Sequence, residues 1–379
     1  MIYFDNSATT KPLEEVLDSF VAVSENYYGN ASSQHQLGID ANKLLRKAYQ
    51  QSANMLGVSE TEIIFTSGGT EANNLAIKGI ALNYHKHGKH IITTAIEHPS
   101  VLNACKALTR LDYEITYLPV DEHGIVRLED FKEALREDTI LVSVMHVNNE
   151  VGAVQPIKEI GALLKDRKYT FFHVDDVQGF GKMSLDIRKS NIDLLSISGH
   201  KLHGLKGTGL LYVKEWIELF PLFHGGGQQG DVRSGTENIA GIVSLVKAMR
   251  VVQEEQMHHP EALTHIRDLM RDRLSKITEV TINSAEKQAP HILSFSLPGF
   301  KPEVVLHALE ERNIYISTKA ACSSKKPDQS VVLAAMGCPD NVSNSALRVS
   351  FSYQNTEGEV ELFYRALKKI IKDLSKVMG

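Results

Sequence analysis

A lysine follows the predicted end of a buried strand. The apolar run Asp193-Leu194-Leu195 leads into a segment of small polar residues that ends in Lys201, and glycines follow at positions 204, 207 and 209. An amine in such a place can lose its proton and act as a nucleophile, which is what a Schiff-base lysine needs. For Lys201 taken alone, a surface lysine is the ordinary alternative. Lys206 is a second candidate, ranked lower because it lies within the glycine turn, farther from the strand end.

A glycine turn and a buried carboxylate supply two further parts of a possible site. Thr66–Glu71 follows a predicted strand and opens a predicted helix, whose N-terminal N–H groups favour a phosphate. Such turns are common, and this one lacks the lysine of a P-loop. Asp175 ends the strand pattern Phe171–Val174 and needs a partner, which a protonated pyridine nitrogen or a basic side chain would provide. Gln178 could donate a hydrogen bond to a ring oxygen.

These polar residues share one feature, because each follows a predicted strand. The carboxyl ends of parallel strands meet at the ligand crevice of a sheet, so the side chains should point toward one place. The residues concerned are Thr70, His98, Asn149, Asp175 and Lys201. A phosphate cradle, a neighbour for a flat ring, a partner for a ring nitrogen and a lysine nucleophile are the four parts that a pyridoxal phosphate site requires. His98 by itself would more often be a hydrogen-bonded structural histidine.

Two further candidates lie in the C-terminal part of the chain. Cys322 stands in a small, polar, lysine-bearing segment, and neighbouring cations lower the pKa of a thiol, which favours a reactive cysteine over an inert buried one. Cys105 lies in an amphipathic helical pattern typical of a core, and Cys338 is predicted to be a turn residue. Arg348, in a strand pattern, would either clamp a substrate carboxylate or form a structural ion pair, and the sequence leaves both open.

Composition and charge exclude several classes of protein. The 379 residues are 42% hydrophobic and 23% charged, with a net charge of -5, which is typical of a globular chain and not of an electrostatic nucleic-acid binder. We expect no signal peptide, because the first residues lack a basic region and a long apolar run, and no membrane span. Three cysteines argue against a disulfide framework and fit a reducing cytoplasm.

Strand and helix patterns alternate between residues 63 and 213, which is typical of a mostly parallel sheet covered by helices. The predicted strands are Ile63–Phe65, Ile91–Thr94, Ile115–Leu118, Ile140–Met145, Phe171–Val174, Leu194–Ile197 and Leu210–Val213. The predicted helices in the first half include Pro12–Tyr27, Ile39–Leu56, Glu71–Tyr84 and Ile157–Leu164. Pro12 is expected at the first helical position.

The helical region that starts at Ile239 is broken by a polar, proline-containing stretch, Glu254–Pro260. We interpret this stretch as the connection between a large domain of residues 12–256 and a small domain of residues 1–11 and 257–379. The predicted elements beyond it are strands at Ile292–Leu297, Ile314–Ser317 and Leu347–Phe351, a helix at Pro302–Glu311 and a last helix from Glu357. Thr356 and Glu359 form a capping-box pattern at its start, and its lysines indicate a solvated face.

Taken in order, the motifs resemble those of the cysteine desulfurases. They are Ser67-Gly68-Gly69-Thr70-Glu71, Glu97-His98, Met145-His146-Val147-Asn148-Asn149-Glu150, His173-Val174-Asp175, Ser198-Gly199-His200-Lys201, Arg233-Ser234-Gly235-Thr236-Glu237-Asn238 and Ala321-Cys322-Ser323-Ser324. These enzymes belong to the class V aminotransferase group and use pyridoxal 5′-phosphate. The resemblance, which runs from Phe4 to the last helix, implies the α/β type I fold of these transferases. A large domain with a mostly parallel mixed sheet and a smaller α/β C-terminal domain are expected.

The resemblance also implies the role of each site residue. Lys201 would hold the cofactor, Cys322 would take sulfur from L-cysteine as a persulfide, and His98 would stack on the ring and assist proton transfer. Asp175 would pair with the pyridinium nitrogen. The phosphate would be bound by Gly69, Thr70, Ser198 and His200, with Thr236 from the other subunit of a homodimer; the ring hydroxyl by Asn149 and Gln178; and the substrate carboxylate by Arg348 and Asn6. No metal is expected.

The sulfur would pass from Cys322 to an acceptor, such as an iron–sulfur scaffold or a tRNA-thiolating enzyme, in the cytoplasm, with no membrane or direct nucleic-acid contact. The spacing from Cys322 to Val332 resembles the longer-loop subgroup. The chain departs from the family pattern at Lys319-Ala320, Ala31 and Gln229-Gly230-Asp231. Three alternatives stay open: a selenocysteine lyase, an aminotransferase or decarboxylase that does not use Cys322, and a sulfur scaffold or regulatory protein without turnover.

Overall fold

The computed structural model describes residues 1–318 and 329–378. The helices of this part are α1 Glu14–Asn26, α2 Gln36–Leu56, α3 Gly69–Tyr84, α4 Pro99–Leu108, α5 Leu128–Ala134, α6 Ile157–Leu164, α7 Ile239–His258, α8 Ala262–Ser275, α9 Pro302–Glu310, α10 Val331–Ala335, α11 Asp340–Ser343 and α12 Glu357–Met378. The strands are β1 Ile2–Tyr3, β2 Ile63–Thr66, β3 His90–Thr94, β4 Glu114–Leu118, β5 Thr139–Met145, β6 Phe171–Asp175, β7 Leu194–Ser198, β8 Gly209–Val213, β9 Thr281–Ile282, β10 Ile292–Ser296, β11 Ile314–Tyr315 and β12 Ala346–Ser350.

Seven strands form the central sheet, in the order β2-β8-β7-β6-β5-β3-β4. Only β8 runs against its neighbours β2 and β7, so the predicted mostly parallel sheet is confirmed. Both faces are covered, because alternate residues of the strands enter different apolar clusters. Phe171 belongs to the cluster that includes residues of α3 and α4, and Phe172 to the cluster that includes residues of α2, α6 and α7. This double burial explains why the inner strands are continuous apolar runs.

A second group of elements is built around a smaller sheet. Strand β10 pairs antiparallel with β12 and β9, while β1 pairs in parallel with β11. Helices α8, α9 and α12 pack with these strands around Phe295 and Phe363, and the chain start joins them through Phe4. The separate core supports the predicted division into a large domain of residues 12–256 and a small domain, which stays a prediction. Val332 and Leu333, however, pack into the core of the large sheet.

The start of α1 differs from the prediction. The helix begins at Glu14, so Pro12 precedes it by two residues and does not occupy its first position. Residues 10–13 are held extended by hydrogen bonds from Thr10 N to His200 O, 2.8 Å, and from Leu13 N to His203 O, 3.1 Å. These long-range bonds override the local preference of proline for a helix start. They also tie the chain start to the segment that carries Lys201.

Two other local predictions are confirmed. The helical region after Ile239 is interrupted between His258 and Ala262, and α12 begins with a capping box. In this box Thr356 N donates to Glu359 Oε2 at 3.0 Å, and Glu359 N donates to Thr356 Oγ1 at 3.4 Å. Among the described residues, no helix combines the length and the apolar character that crossing a bilayer would require.

Candidate active site

A cavity of about 520 Å³ lies at the carboxyl ends of the parallel strands. The predicted convergence of Thr70, His98, Asn149, Asp175 and Lys201 is confirmed, since all five line it. The other predicted site residues that line it are Gly69, Gln178, Ser198, His200 and Arg348. Asn6 and Thr236 do not line this cavity, and Cys322 lies outside the described residues.

The wall formed by residues 66–71 is the junction of β2 and α3. Gly68 has a φ of 147°, a backbone conformation that other residues rarely adopt. A Cβ atom on Gly69 would lie 2.8 Å from Val177 Cγ2, so a side chain there would clash. The helix therefore starts at the cavity edge with its first N–H groups unused by the helix itself. With Ser198 and His200 also on the cavity wall, this junction suits a bound phosphate.

Asp175 ends β6 and is buried. Its Oδ2 accepts a hydrogen bond from Asn73 Nδ2 at 2.7 Å, and its Oδ1 accepts one from Val177 N at 3.0 Å. Both partners are neutral, so within the described residues no lysine or arginine forms an ion pair with this carboxylate. The alternative interpretation, a salt bridge between Asp175 and a lysine or arginine, is therefore not observed among the described residues. A buried carboxylate with neutral partners favours a cation in the cavity.

Lys201 lies in a 3₁₀ turn, Gly199–Lys201, directly after β7. Its Nζ donates to Ser7 O at 2.5 Å and to Ala8 O at 2.6 Å. Burial lowers the pKa of this amine to about 7, and the charges of Arg348 and Lys182 add to the effect. Lys206 also lines the cavity, but its side chain is exposed. The burial distinguishes the two lysines and supports Lys201 as the nucleophile.

The amine of Lys201 should therefore react at a lower pH than other lysines. Its pKa of about 7 lies below the ordinary 10.5, so the neutral amine predominates above pH 7. At pH 7 about half of Lys201 would be reactive, against roughly one in 3,000 molecules of an ordinary lysine. Reductive methylation of cofactor-free protein over pH 5–10, followed by peptide mass spectrometry, measures this. A rate that still rises tenfold per pH unit up to pH 10 would contradict it.

His98 is the N-cap of α4 and lines the same cavity. Its Nδ1 accepts a hydrogen bond from Ser100 N at 3.1 Å and lies 2.8 Å from Ser100 Oγ. Burial lowers the pKa of the ring, while Asp175 raises it and Lys201 lowers it. His98 is consequently a neutral imidazole at neutral pH, with Nδ1 turned toward the helix.

Arg348, on β12, forms the ion pair that was one of the two possibilities left open by the sequence. Its Nη2 forms an ion pair with Asp5 Oδ1 at 2.9 Å, and its Nη1 donates to Asn149 O at 2.8 Å. Its Nε is buried and has no partner among the described residues, and the side chain lines the cavity. The structural ion pair exists, and it holds the guanidinium where an incoming carboxylate could reach it.

Gln178 and Asn6 make hydrogen bonds within the protein that the sequence did not predict. Gln178 Nε2 donates to Ser7 O at 2.9 Å, which leaves its Oε1 buried without a partner among the described residues. Gln178 could therefore accept a hydrogen bond from a ligand through Oε1, and the second hydrogen of Nε2 still allows it to donate one. Asn6 Nδ2 contacts Ser350 O at 3.0 Å and Tyr3 O at 3.2 Å, so it secures the chain start beside Arg348 and does not reach the cavity itself.

Thr236 lies at a second cavity, of about 270 Å³, which adjoins the first through Ser67 and Gly207. The loop that carries it is tied to the junction of β2 and α3, since Arg233 Nε donates to Glu71 Oε1 at 2.9 Å. The departure at Gln229 has a structural consequence. Its side-chain amide bonds both the N–H and the C=O of Phe65 on the edge strand β2.

Several residues of the site were missed by sequence reasoning. Asn73, Ser100 and Val177 line the cavity, Asp5 pairs with Arg348, and Lys182 Nζ donates to Lys201 O at 3.0 Å. Asn73 lies four residues after Gly69 on α3, and Ser100 lies two after the N-cap residue His98, so helix and N-cap geometry could have signalled them. Asp5 and Lys182 carry no such local signal, because their partners are distant in the chain.

The described residues fit pyridoxal 5′-phosphate. The N-terminus of α3 would receive the phosphate, Asp175 the protonated ring nitrogen, and the unpartnered Gln178 Oε1 a ring hydroxyl. The neutral amine of Lys201 would meet the aldehyde. No group of three or more potential metal ligands is found in the described part of the chain, and a cationic nitrogen heterocycle matches the carboxylate of Asp175 without one.

Comparisons with known proteins agree with this interpretation. A family model described as aminotransferase class-V matches residues 2–363. A NifS/IcsS protein homolog of Lactobacillus delbrueckii subsp. bulgaricus is 46% identical over 380 residues, covering 100% of this chain and 99% of that protein. A protein of Clostridium botulinum named cysteine desulfurase IscS is 42% identical and covers 98% of this chain and 94% of its own. A solved structure of a NifS-like protein superposes with a TM-score of 0.91 at 38% identity, covering 99% of both chains.

Proposed function

The chain belongs to the class-V aminotransferase family and is a cysteine desulfurase dependent on pyridoxal 5′-phosphate, and we propose how its residues act on L-cysteine. The observation that carries the proposal is the meeting of three groups at one cavity. These are a lysine whose burial lowers the pKa of its amine to about 7, a carboxylate that forms no ion pair with a lysine or arginine in the described part of the chain, and the N-terminus of a helix that starts in glycine.

Four sets of residues would hold the cofactor. Gly69, Thr70, Ser198 and His200 would bind the phosphate, Asp175 the ring nitrogen, Asn149 and Gln178 the ring hydroxyl, and Lys201 the aldehyde carbon. When bound, pyridoxal 5′-phosphate supplies an aldehyde that condenses with amines and a ring that accepts electrons from the α-carbon. The negative charge of Asp175 would keep the ring nitrogen protonated, which makes the ring a better electron acceptor.

Lys201 would move the proton at the α-carbon. An amine with a pKa of about 7 exists in both forms at neutral pH, so it can take up a proton and return it. Ser7 O and Ala8 O accept hydrogen bonds from Nζ and would hold the released amine near the reacting atoms. His98, with its neutral ring, would stack on the flat cofactor and orient it.

Arg348 would bind the carboxylate of L-cysteine. Asp5 and Asn149 hold two of its nitrogens, and the buried Nε lacks a partner in the described residues. Binding of an anion would therefore satisfy a buried donor at the same time as it neutralises charge. Asn6 would contribute indirectly, by securing the chain start that carries Asp5.

Cys322 would take the sulfur. Its thiolate would attack the sulfur of the bound cysteine, so that an S–S bond forms while the C–S bond of the substrate breaks. The net change converts L-cysteine and the Cys322 thiol into L-alanine and a Cys322 persulfide, which balances without an external oxidant. The persulfide would then pass its outer sulfur to an acceptor protein of iron–sulfur cluster assembly or tRNA thiolation.

We further propose that the protein is a homodimer that works in the cytoplasm. Thr236 does not reach the main cavity of its own chain, and a second copy would bring its Thr236 to the phosphate. Leu17 and Val21, one turn apart on α1, and Tyr28 just beyond it are exposed, as apolar residues at interfaces between subunits are. A reducing compartment would keep Cys322 free for persulfide chemistry.

Substituting Cys322 by alanine tests the sulfur-transfer role. With L-cysteine and a thiol reductant, the unchanged protein should release sulfide and alanine in equal amounts. Cys322→Ala should keep the visible absorbance of the cofactor but release no sulfide above the level without enzyme. Sulfide release at the normal rate by this variant would exclude Cys322 as the sulfur acceptor.

The control is Cys338→Ala, because Cys338 is a half-buried thiol away from the cavity and its removal should leave sulfide release unchanged. Incubation of ³⁵S-labelled persulfide enzyme with candidate acceptor proteins identifies the acceptor. Sedimentation velocity of the same sample tests the dimer, which a single monomer boundary at micromolar concentration would contradict.

A further inference from the structure

We propose that Asn73 and Ser100 are positioning residues, which connect Asp175 to His98 through hydrogen bonds whose directions are set by the carboxylate. As a result, His98 presents an Nε2–H donor to the cavity. The inference rests on the proposed function only in taking this cavity as the cofactor site. It concerns which ring nitrogen of His98 carries the proton, and therefore whether the ring faces the cavity as a hydrogen-bond donor or as a base.

The direction of the hydrogen bonds is set at Asp175. An ionised carboxylate only accepts hydrogen bonds, so the Asn73 atom that faces it at 2.7 Å must be the amide nitrogen. The same Nδ2 lies 2.8 Å from Ser100 Oγ and has a second hydrogen to donate there. The three side chains are buried, which prevents water from substituting for either bond.

Ser100 links Asn73 to the imidazole ring of His98. Because its oxygen accepts from Asn73, its own hydrogen is free to point at His98 Nδ1, 2.8 Å away. The backbone N–H of Ser100 also points at Nδ1, at 3.1 Å, as part of the N-cap of α4. Two donors therefore converge on Nδ1, and a proton on that atom would have to displace both.

The remaining proton of the neutral ring is thus on Nε2, at the edge of the ring that is not turned toward α4. His98 would then act as a hydrogen-bond donor toward a ligand and not as a base through Nε2. Loss of this arrangement is expected when the ring takes up a second proton, because an imidazolium needs acceptors at both nitrogens. The charged and titratable groups that face the ring are Asp175, Lys201 and His200.

Nitrogen-15 NMR of the full-length holoenzyme labelled at histidine tests the inference, with the His98→Gln protein used to assign the signals. We expect a proton on Nε2 and an unprotonated Nδ1 at neutral pH. In Ser100→Ala the pKa of His98 should rise by about one unit, which corresponds to the loss of one neutral hydrogen bond. The acid limb of the activity profile should move upward by the same amount, and Ser100→Thr should restore both.

A matched control and a double variant separate this relay from a structural role. Ser244 is a buried serine of α7 that donates to Gly241 O, so Ser244→Ala loses a comparable hydrogen bond and should leave His98 unchanged. Asn73→Ala should raise the pKa of His98, and adding it to Ser100→Ala should have no further effect, because both act through one hydrogen bond. A proton on Nδ1, or an unchanged pKa in Ser100→Ala, would overturn the inference. The NMR spectrum of cofactor-free protein also shows which nitrogen of His98 is protonated. This measurement does not depend on sulfur transfer, so it tests the inference even if the Cys322→Ala experiment contradicts the proposed function.

Discussion

Replacing Lys201 by alanine is expected to reduce sulfide and alanine formation from L-cysteine at least about a thousandfold. The variant would lose both the amine that holds the cofactor and the group that moves the proton at the α-carbon. The neighbours of Lys201 cannot replace it, since Nζ contacts two backbone carbonyl oxygens, Ser7 O and Ala8 O, and these groups cannot act as nucleophiles.

Borohydride reduction gives the decisive measurement. The unchanged protein should retain the cofactor covalently after reduction and denaturation, and mass spectrometry should place it on Lys201. Lys201→Ala should lose the label on denaturation, with a melting temperature close to that of the unchanged protein, because the cost of burying the amine offsets the two hydrogen bonds that it donates.

Lys206→Ala is the matched control, because Lys206 is the other lysine in the described lining of the cavity. It should keep the covalent label on Lys201. A label that persists in Lys201→Ala and disappears in Lys206→Ala would reverse the assignment of the two lysines.

Replacing Asp175 by asparagine is expected to lower kcat about a hundred- to a thousandfold. A neutral amide would not keep a ring nitrogen protonated in this buried position, so the cofactor would accept electrons less well. The amide would also fit its own surroundings badly. Asn73 Nδ2 and Val177 N both donate to Asp175, and the single oxygen of an amide would satisfy them less well than a carboxylate does. We expect a stability loss of about 1–3 kcal/mol from this mismatch.

Asp176→Asn separates the loss of the cofactor's partner from general destabilisation. Asp176 is the next residue, equally buried, contacts His146 Nδ1 at 2.6 Å and is not among the described residues that line the cavity. This variant should lose comparable stability with little change in kcat. Steady-state kinetics and thermal melts of both variants provide the test. An equal loss of kcat in the two would mean that Asp175 acts only through the fold.

Much of the site could be predicted from the sequence because the relevant signals are local. Alternating apolar strands and helical patterns specify a parallel sheet, and the residue that follows each strand must lie at one edge of it. Lys201, Asp175 and His98 were predicted in this way, and the glycine turn before α3 lines the same cavity. The ordered motifs added the family, and the comparisons confirmed it.

The tertiary structure alone decided how these side chains are paired. Asp5 and Arg348 are 343 residues apart in the chain, and Gln178 contacts Ser7 across 171 residues. No local pattern could therefore indicate that Arg348 is already ion-paired or that the amide nitrogen of Gln178 donates to the chain start. The N-terminal segment likewise reaches Lys201 only because β1 pairs with β11 and residues 10–13 bond to the turn after β7. Sequence determines which residues end each strand, whereas the pKa and hydrogen-bonding direction of a buried group depend on neighbours that only folding brings within a few ångströms.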